Sequence, residues 1–214
     1  EGGWIAILLI IAVAVVLIII KNEYNKAGTK IKQLDYQLSD EVFQYSNLET
    51  ENPGKPVFDT KSKTAIILVN GYTGLGIHSF FSVFKLFGTS IKNYVFVQVG
   101  IANKGNSMID MDNESTREQT AESLQSYIGL ANRHGYWAEG IALAGLEVEE
   151  EIIKALPDIK NQYKNIIFFG GQIVFPKDSF LNRLLHNYTV LSLQRKLYNQ
   201  GIQLITLPIK IDYR

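Results

Sequence analysis

Two glycine-rich stretches carry the residues whose types and spacing best suit ligand chemistry. The first, Asn70-Gly71-Tyr72-Thr73-Gly74-Leu75-Gly76, stands between an apolar run and a helical pattern, and the second, Gly170-Gly171-Gln172, follows another apolar run. Glycine permits left-handed turns and close backbone approach, and a helix start presents N–H groups, so such a loop can cradle an anion. The candidate ligand-binding residues are Asn70, Gly71, Thr73, Gly74, Gly76, His78, Gly170 and Gly171. Glycines at strand-to-helix turns also serve the turn alone. No Lys-Ser/Thr pair follows the first stretch and its glycines do not fit GxGxxG, so the nucleotide motif is incomplete and no cofactor is assigned.

Catalytic constellations are weaker. Asn70-Gly71-Tyr72-Thr73-Gly74 is similar to the HGxxG oxyanion loop of α/β hydrolases, but Asn stands for His and no GxSxG nucleophile elbow occurs in the chain. His78, His134 and His186 have no His or acidic partner at the helical offset a metal site uses. His78 and His186 would approach each other if the first and fourth strands are neighbours. The chain has no cysteine, which excludes disulfides, thiolate metal sites and cysteine nucleophiles. The run Glu147, Glu149, Glu150, Glu151 reads as a solvated helix start favoured by the macrodipole. The expectation is a protein that is not an enzyme.

The elements that would position these residues follow from periodicity. From Thr64 onward, TAIILV, YVFVQV, WAEGIAL, NIIFF and IQLITLPI alternate with helical patterns from about Leu75, from Thr116 to His134, from Glu147 to Tyr163 and from Asp178 to Gln200. Five strands joined through four helices require crossover connections. The expected fold is therefore α/β, a doubly wound and mainly parallel five-stranded sheet covered on both faces. Gly201 can close the last helix, Pro157 should kink or split the third, and the polar loop from Ile101 to Glu114 is the expected mobile segment. In such sheets ligands bind beyond the carboxyl ends of the strands, where strand order reverses. The helix from Leu75 to Phe87 is apolar nearly all round, which predicts cover on both sides, by self-association or by a membrane-embedded body.

Upstream, Trp4 to Ile20 reads WIAILLIIAVAVVLIII, an apolar run of roughly 25 Å as a helix, and the reading is a transmembrane helix over residues 1–21. A signal peptide would need a basic region before the run and small residues at a cleavage site after it. Glu1 precedes and Lys21-Asn22-Glu23-Tyr24 follows. Lys21, Lys26, Lys30 and Lys32 lie just beyond the span, which places the C-terminal side in the cytoplasm. Residues 22–60 form a juxtamembrane amphipathic helix and linker: Ile31, Leu34, Leu38, Val42 and Tyr45 make one helical stripe, and Asn52-Pro53-Gly54-Lys55-Pro56 ends it. Residues 61–214 form the cytoplasmic α/β domain. Lys plus Arg and Asp plus Glu balance at 21 each, so no nucleic-acid partner is expected.

GGW opening the apolar span, the basic connector, TAIILVNGYTGLGIHS, KNYVFVQVGI, IIFFGGQIVF and LLHNYTVLSLQRKL together resemble the C-terminal part of bacterial permeases of the amino acid-polyamine-organocation (APC) superfamily. In those proteins the last transmembrane helix leads into a cytoplasmic domain similar to universal stress proteins. The resemblance implies that the chain is a fragment lacking the transport core, located in the bacterial inner (cell) membrane, with the missing transmembrane helices of the parent permease as partners. The expected role is regulatory or assembly, and the apolar helix points to a homodimer through the α/β domain or the Leu75 to Phe87 helix. ATP-binding universal stress proteins carry a Gly-x-x-Gly motif with a later Gly-Ser/Thr. Gly170 and Gly171 are followed here by Gln172-Ile173-Val174-Phe175, and the second part is absent. The alternative is a membrane-tethered nucleotide-binding sensor.

Overall fold

A computed structural model describes residues 4–5, 7–19, 21–22, 56–101, 114–174 and 188–210. The connector stripe, His186, the expected helix start at Asp178 and most of the loop after Ile101 lie outside the described residues. The described N-terminal residues are helical and exposed throughout. Among the described residues, however, no helix is long and apolar enough to cross a membrane, so the expected Trp4 to Ile20 span does not stand as a membrane-length helix there.

The elements run β1 (Lys63–Val69), α1 (Gly74–Phe87), a 3-10 turn (Gly88–Ser90), β2 (Ile91–Ile101), α2 (Glu114–Arg133), β3 (Trp137–Gly145), α3 (Val148–Gln162), β4 (Ile166–Val174), α4 (Tyr188–Asn199) and β5 (Leu204–Lys210). The strands form one sheet in the order β3-β2-β1-β4-β5, and every pairing is parallel. Central β1 is buried on both faces, which is why it reads as an unbroken apolar run instead of an alternating one. Successive side chains of a strand point to opposite faces, so Ala65, Ile67, Tyr94 and Phe96 join one core while Ile66, Val95 and Val97 join the other. The helices α1 and α2 cover the first core; α3 and α4 cover the second.

The apolar girth of α1 is met within the domain. Ile77, Phe80, Phe81 and Val83 are buried, Phe84 meets Tyr136 edge-on at 5.5 Å and Phe87 meets Phe169 at 5.3 Å. Leu86 is its one large apolar side chain left exposed. Much of the girth is thus covered within the domain, since this helix lies over β1, β4 and β5 and shares the first core with α2. Pro157 does not split α3, which runs from Val148 to Gln162. Pro157 is exposed, so water can solvate the carbonyl it leaves unpaired, while Ile152, Leu156 and Ile159 hold the opposite face in the core. Gly201, at φ 73°, does close α4, with Ile202 N–H donating to Leu197 O at 3.0 Å.

The acidic start of α3 is more than solvated. Glu149 accepts from Ser192 Oγ at 2.6 Å and pairs with Lys196 Nζ at 2.8 Å, tying α3 to α4. Beside β1, the segment 56–62 is clasped to the sheet. The buried Asn93 carboxamide accepts from Asp59 N–H at 2.9 Å and donates to Asp59 O at 2.8 Å, and Phe58 sits edge-on to Trp137 at 4.8 Å. The Asp59 carboxylate is held below the ordinary range, first by the Lys61 N–H and next by the Lys92 ammonium at 3.2 Å. A depressed carboxyl pKa adds stability that is present above the unfolded value and lost as pH falls through the folded one. Asp59→Asn should therefore lower the unfolding midpoint at neutral pH, and the gap to the parent protein should close in a titration below about pH 4.

Two buried side-chain atoms among the described residues lack a hydrogen-bond partner, and the first is the Tyr94 hydroxyl. Tyr94 is fully buried, its hydroxyl has no hydrogen-bond partner, and burial pushes its ionisation far up. Its ring keeps edge contacts with Phe80 at 5.1 Å and Tyr136 at 5.2 Å whether or not the hydroxyl is there. Removing an unpaired buried hydroxyl while preserving shape is neutral to stabilising, so Tyr94→Phe should raise stability by about 1 kcal/mol in urea denaturation.

Candidate functional site

The chain turns out of β1 at Asn70 and Gly71. Gly71 takes φ 69°, a left-handed conformation that a side chain would strain, and Thr73 then caps α1. A tyrosine from the neighbouring helix fixes this turn: the Tyr127 hydroxyl donates to Gly71 O at 3.0 Å and accepts from Thr73 N–H at 3.2 Å. Tyr127 is fully buried, stacked on Phe96 at 4.9 Å and edge-on to Tyr72 at 4.9 Å. Gly76 makes the space, since a Cβ there would meet the Tyr127 hydroxyl.

That arrangement engages three of the backbone donors at the turn and helix start. Thr73 N–H goes to Tyr127, Gly76 N–H to Thr73 Oγ1 at 3.4 Å and Ile77 N–H to Thr73 O at 3.0 Å. Gly74 is buried at the start of α1, and His78, one turn on, lies with Nδ1 3.1 Å from Ser82 Oγ. Gly170 and Gly171 are not a loop. They lie inside β4, paired with Thr206 and Leu207 of β5. A Cβ on Gly171 would stand 2.7 Å from Ser79 Oγ and 3.0 Å from Leu75 Cδ1, so this glycine lets α1 sit directly on the strand. A Cβ on Gly170 would meet Val190 at an ordinary 3.5 Å. The two glycine stretches thus meet through Leu75 and Ser79, as a packing contact.

Strand order reverses between β1 and β4, and a cleft opens one strand away, beyond the carboxyl ends of β1 and β2. Its volume is about 330 Å³, and it is lined by Asn70, Gly71, Gln98, Val99, Gly100, Gln119, Thr120 and Ser123. Gln98 (7% exposed) and Thr120 (4%) form its floor. Gln98 Nε2 donates to Thr120 Oγ1 at 3.4 Å, and Gln98 Oε1 is buried with no partner. An unpaired buried amide oxygen costs about 1–3 kcal/mol. Gln119, Thr120 and Ser123 reach the cleft from one face of α2, because positions three and four apart share a face. None of the described lining residues is charged.

Of the residues expected from sequence to bind, Asn70 and Gly71 reach this cleft, while Thr73, Gly74 and Gly76 lie at the turn and start of α1, His78 lies beside Ser82, Gly171 lies under α1 and Gly170 lies in β4 facing Val190 of α4. Gln98 and Thr120 were missed. The signal was there: a lone Gln inside YVFVQV puts an amide where every neighbour is apolar. Among the described residues no group of His, Asp and Glu could hold a metal ion.

No family model and no curated protein matches the chain. Five solved chains do. One of them is a protein of the universal stress protein family from Burkholderia pseudomallei, 15% identical, with 67% of this chain and 96% of that chain covered at a TM-score of 0.43. The chain's own geometry defines it more sharply: a five-stranded parallel α/β sheet with a cleft beyond the ends of β1 and β2 whose described lining residues carry no charge.

Proposed function

We propose that the chain is the C-terminal cytoplasmic regulatory or assembly domain of a bacterial APC-type permease, tethered through residues 1–21, with the cleft between β1 and β2 as its effector site. The observation that carries the tether is exposure. From Trp4 to Ile19 every large apolar side chain described is between 48% and 66% exposed on a helical backbone, so the run needs lipid or neighbouring membrane helices to cover it. The blocks shared with APC permeases support the parent assignment, and the lysines after the run support the cytoplasmic side. The domain is assigned no catalysis; it biases the membrane part through self-association or a small effector.

The nucleotide-sensor alternative has less behind it, because Thr73 N–H and Gly76 N–H are engaged and no cation is among the described residues that line the cleft. Extraction of membranes with alkaline carbonate tests the tether: the full chain should stay in the pellet and a variant lacking residues 1–21 should leave it. Release of the full chain sinks the reading. The regulatory half is tested by solute uptake through the parent permease with and without residues 56–214, where an unchanged rate and an unchanged oligomeric state would remove that role.

A further inference from the structure

We infer that the cleft takes a small, uncharged, hydroxyl-bearing molecule, of the polyol or sugar class, whose hydroxyl completes the hydrogen bonding of the Gln98 carboxamide. This rests on the cleft being the effector site and adds what the effector is.

Gln98 is nine-tenths buried in the cleft floor, and its amide makes one bond of the several it can form. Its Oε1 is without a partner and shielded from water, so a molecule in the cleft meets it once the amide turns about its soft terminal torsion. Reversing the amide would let Oε1 accept from the Thr120 hydroxyl, but would strand Nε2 instead. Either way one polar atom is left over. A ligand hydroxyl, donor and acceptor at once, satisfies both cases, whereas a carbonyl or an ammonium satisfies one.

The walls select against charge. Asn70, Gln119, Thr120 and Ser123 provide neutral polar groups, Gly71 and Gly100 provide backbone, and Val99 is the single apolar side chain. Among the described lining residues a phosphate or carboxylate brought in here would lose water without gaining a countercharge, and the nearby turn has already spent Thr73 N–H on Tyr127. The volume lies at the small end of ligand pockets, which fits a molecule of monosaccharide size.

Matched pairs test this on the full chain in detergent micelles: myo-inositol with inositol monophosphate, and ribose with ribose 5-phosphate, each titrated by calorimetry and by thermal midpoint. A neutral member should bind saturably, and its phosphate ester should bind at least about tenfold more weakly. Gln98→Met, close in volume and without the amide, should weaken binding of the neutral member at least about tenfold while leaving the unliganded midpoint unchanged or higher. Tighter binding of a phosphate ester overturns the inference, as does a panel in which neither neutral compound binds. A Gln98→Met protein that unfolds earlier without ligand also overturns it, because the amide would then already be satisfied. Carbonate extraction of the same protein reports on the tether alone, so loss of this inference and loss of the membrane reading are separate results.

Discussion

Gly76→Ala should cost the domain about 3 kcal/mol, at the upper end of what overpacking does. Intrinsic preference points the other way, since Ala in a helix is favoured over Gly by about 1 kcal/mol. The steric effect decides the sign. The added Cβ would collide with the Tyr127 hydroxyl and stand 2.8 Å from Cζ and 3.3 Å from Cε1 of the same ring. That ring cannot yield easily, being fully buried and stacked on Phe96. If it does move, Gly71 O and Thr73 N–H lose the hydroxyl they share. Urea unfolding followed by near-ultraviolet dichroism measures the loss. Tyr127→Phe alone should cost about 1–2 kcal/mol by leaving the turn's groups unpaired. Combined with Gly76→Ala it should recover only part of the clash, because Cζ remains inside the closest distance real Cβ atoms show. Full additivity of the two changes would mean that Gly76 and Tyr127 do not touch.

The same residue shows where sequence reading stops. Gly76 was legible as a glycine of a strand-to-helix turn, and the sheet itself was legible because parallel strands buried on both faces leave unbroken apolar runs, as Lys63–Val69 does. What the run could not reveal is that Gly76 faces a tyrosine 51 positions later in the chain, Tyr127, since that contact depends on how α2 lies on α1. Gly171 failed for a like reason. Strand periodicity says nothing of how near a covering helix approaches, so a glycine needed for close packing on α1 read as a glycine of a loop. The girth of α1 shows the opposite limit. One helix seen alone lacks a polar side, yet the sheet and the segment around Tyr136 between them cover much of it. Gln98 is the instructive omission, because a motif search ranks glycines and histidines above a carboxamide in a strand. Its meaning comes from burial without a partner, which only the fold exposes.

Asn93→Ala should have a comparable effect at the other end of the same strand, about 3 kcal/mol. Asn93 is fully buried, and its carboxamide stands in for a peptide group: Oδ1 accepts from Asp59 N–H, while Nδ2 donates to Asp59 O and, at 3.4 Å, to Thr64 Oγ1. Truncation removes two good bonds at about 1 kcal/mol each and leaves a cavity worth about as much again. Segment 56–62 then keeps only the exposed Lys92–Asp59 pair, the Ser62 contacts with Lys92 and Ser90, and the Phe58 ring contacts. An exposed ion pair contributes little, so Phe58 should leave Trp137 and Tyr163 well before the sheet unfolds. Trp137 is one of two tryptophans in the chain and the only one in the α/β domain, so its emission should shift to the red in the variant at urea concentrations that leave the far-ultraviolet signal unchanged. Asn93→Asp separates the hydrogen bonds from the cavity. It keeps the shape and the acceptor for Asp59 N–H, loses both donors, and buries a carboxylate beside the one on Asp59, whose nearness raises the new group's pKa. A raised carboxyl pKa destabilises above the unfolded value and ceases to do so as the group protonates, so the deficit of Asn93→Asp against the parent protein should be largest at neutral pH and shrink on acidification. The Asn93→Ala deficit has no ionisable cause at position 93 and should persist across the same range. If both variants lose stability in parallel at every pH, the carboxamide is filling space and the clasp on Asp59 is not what holds the segment down.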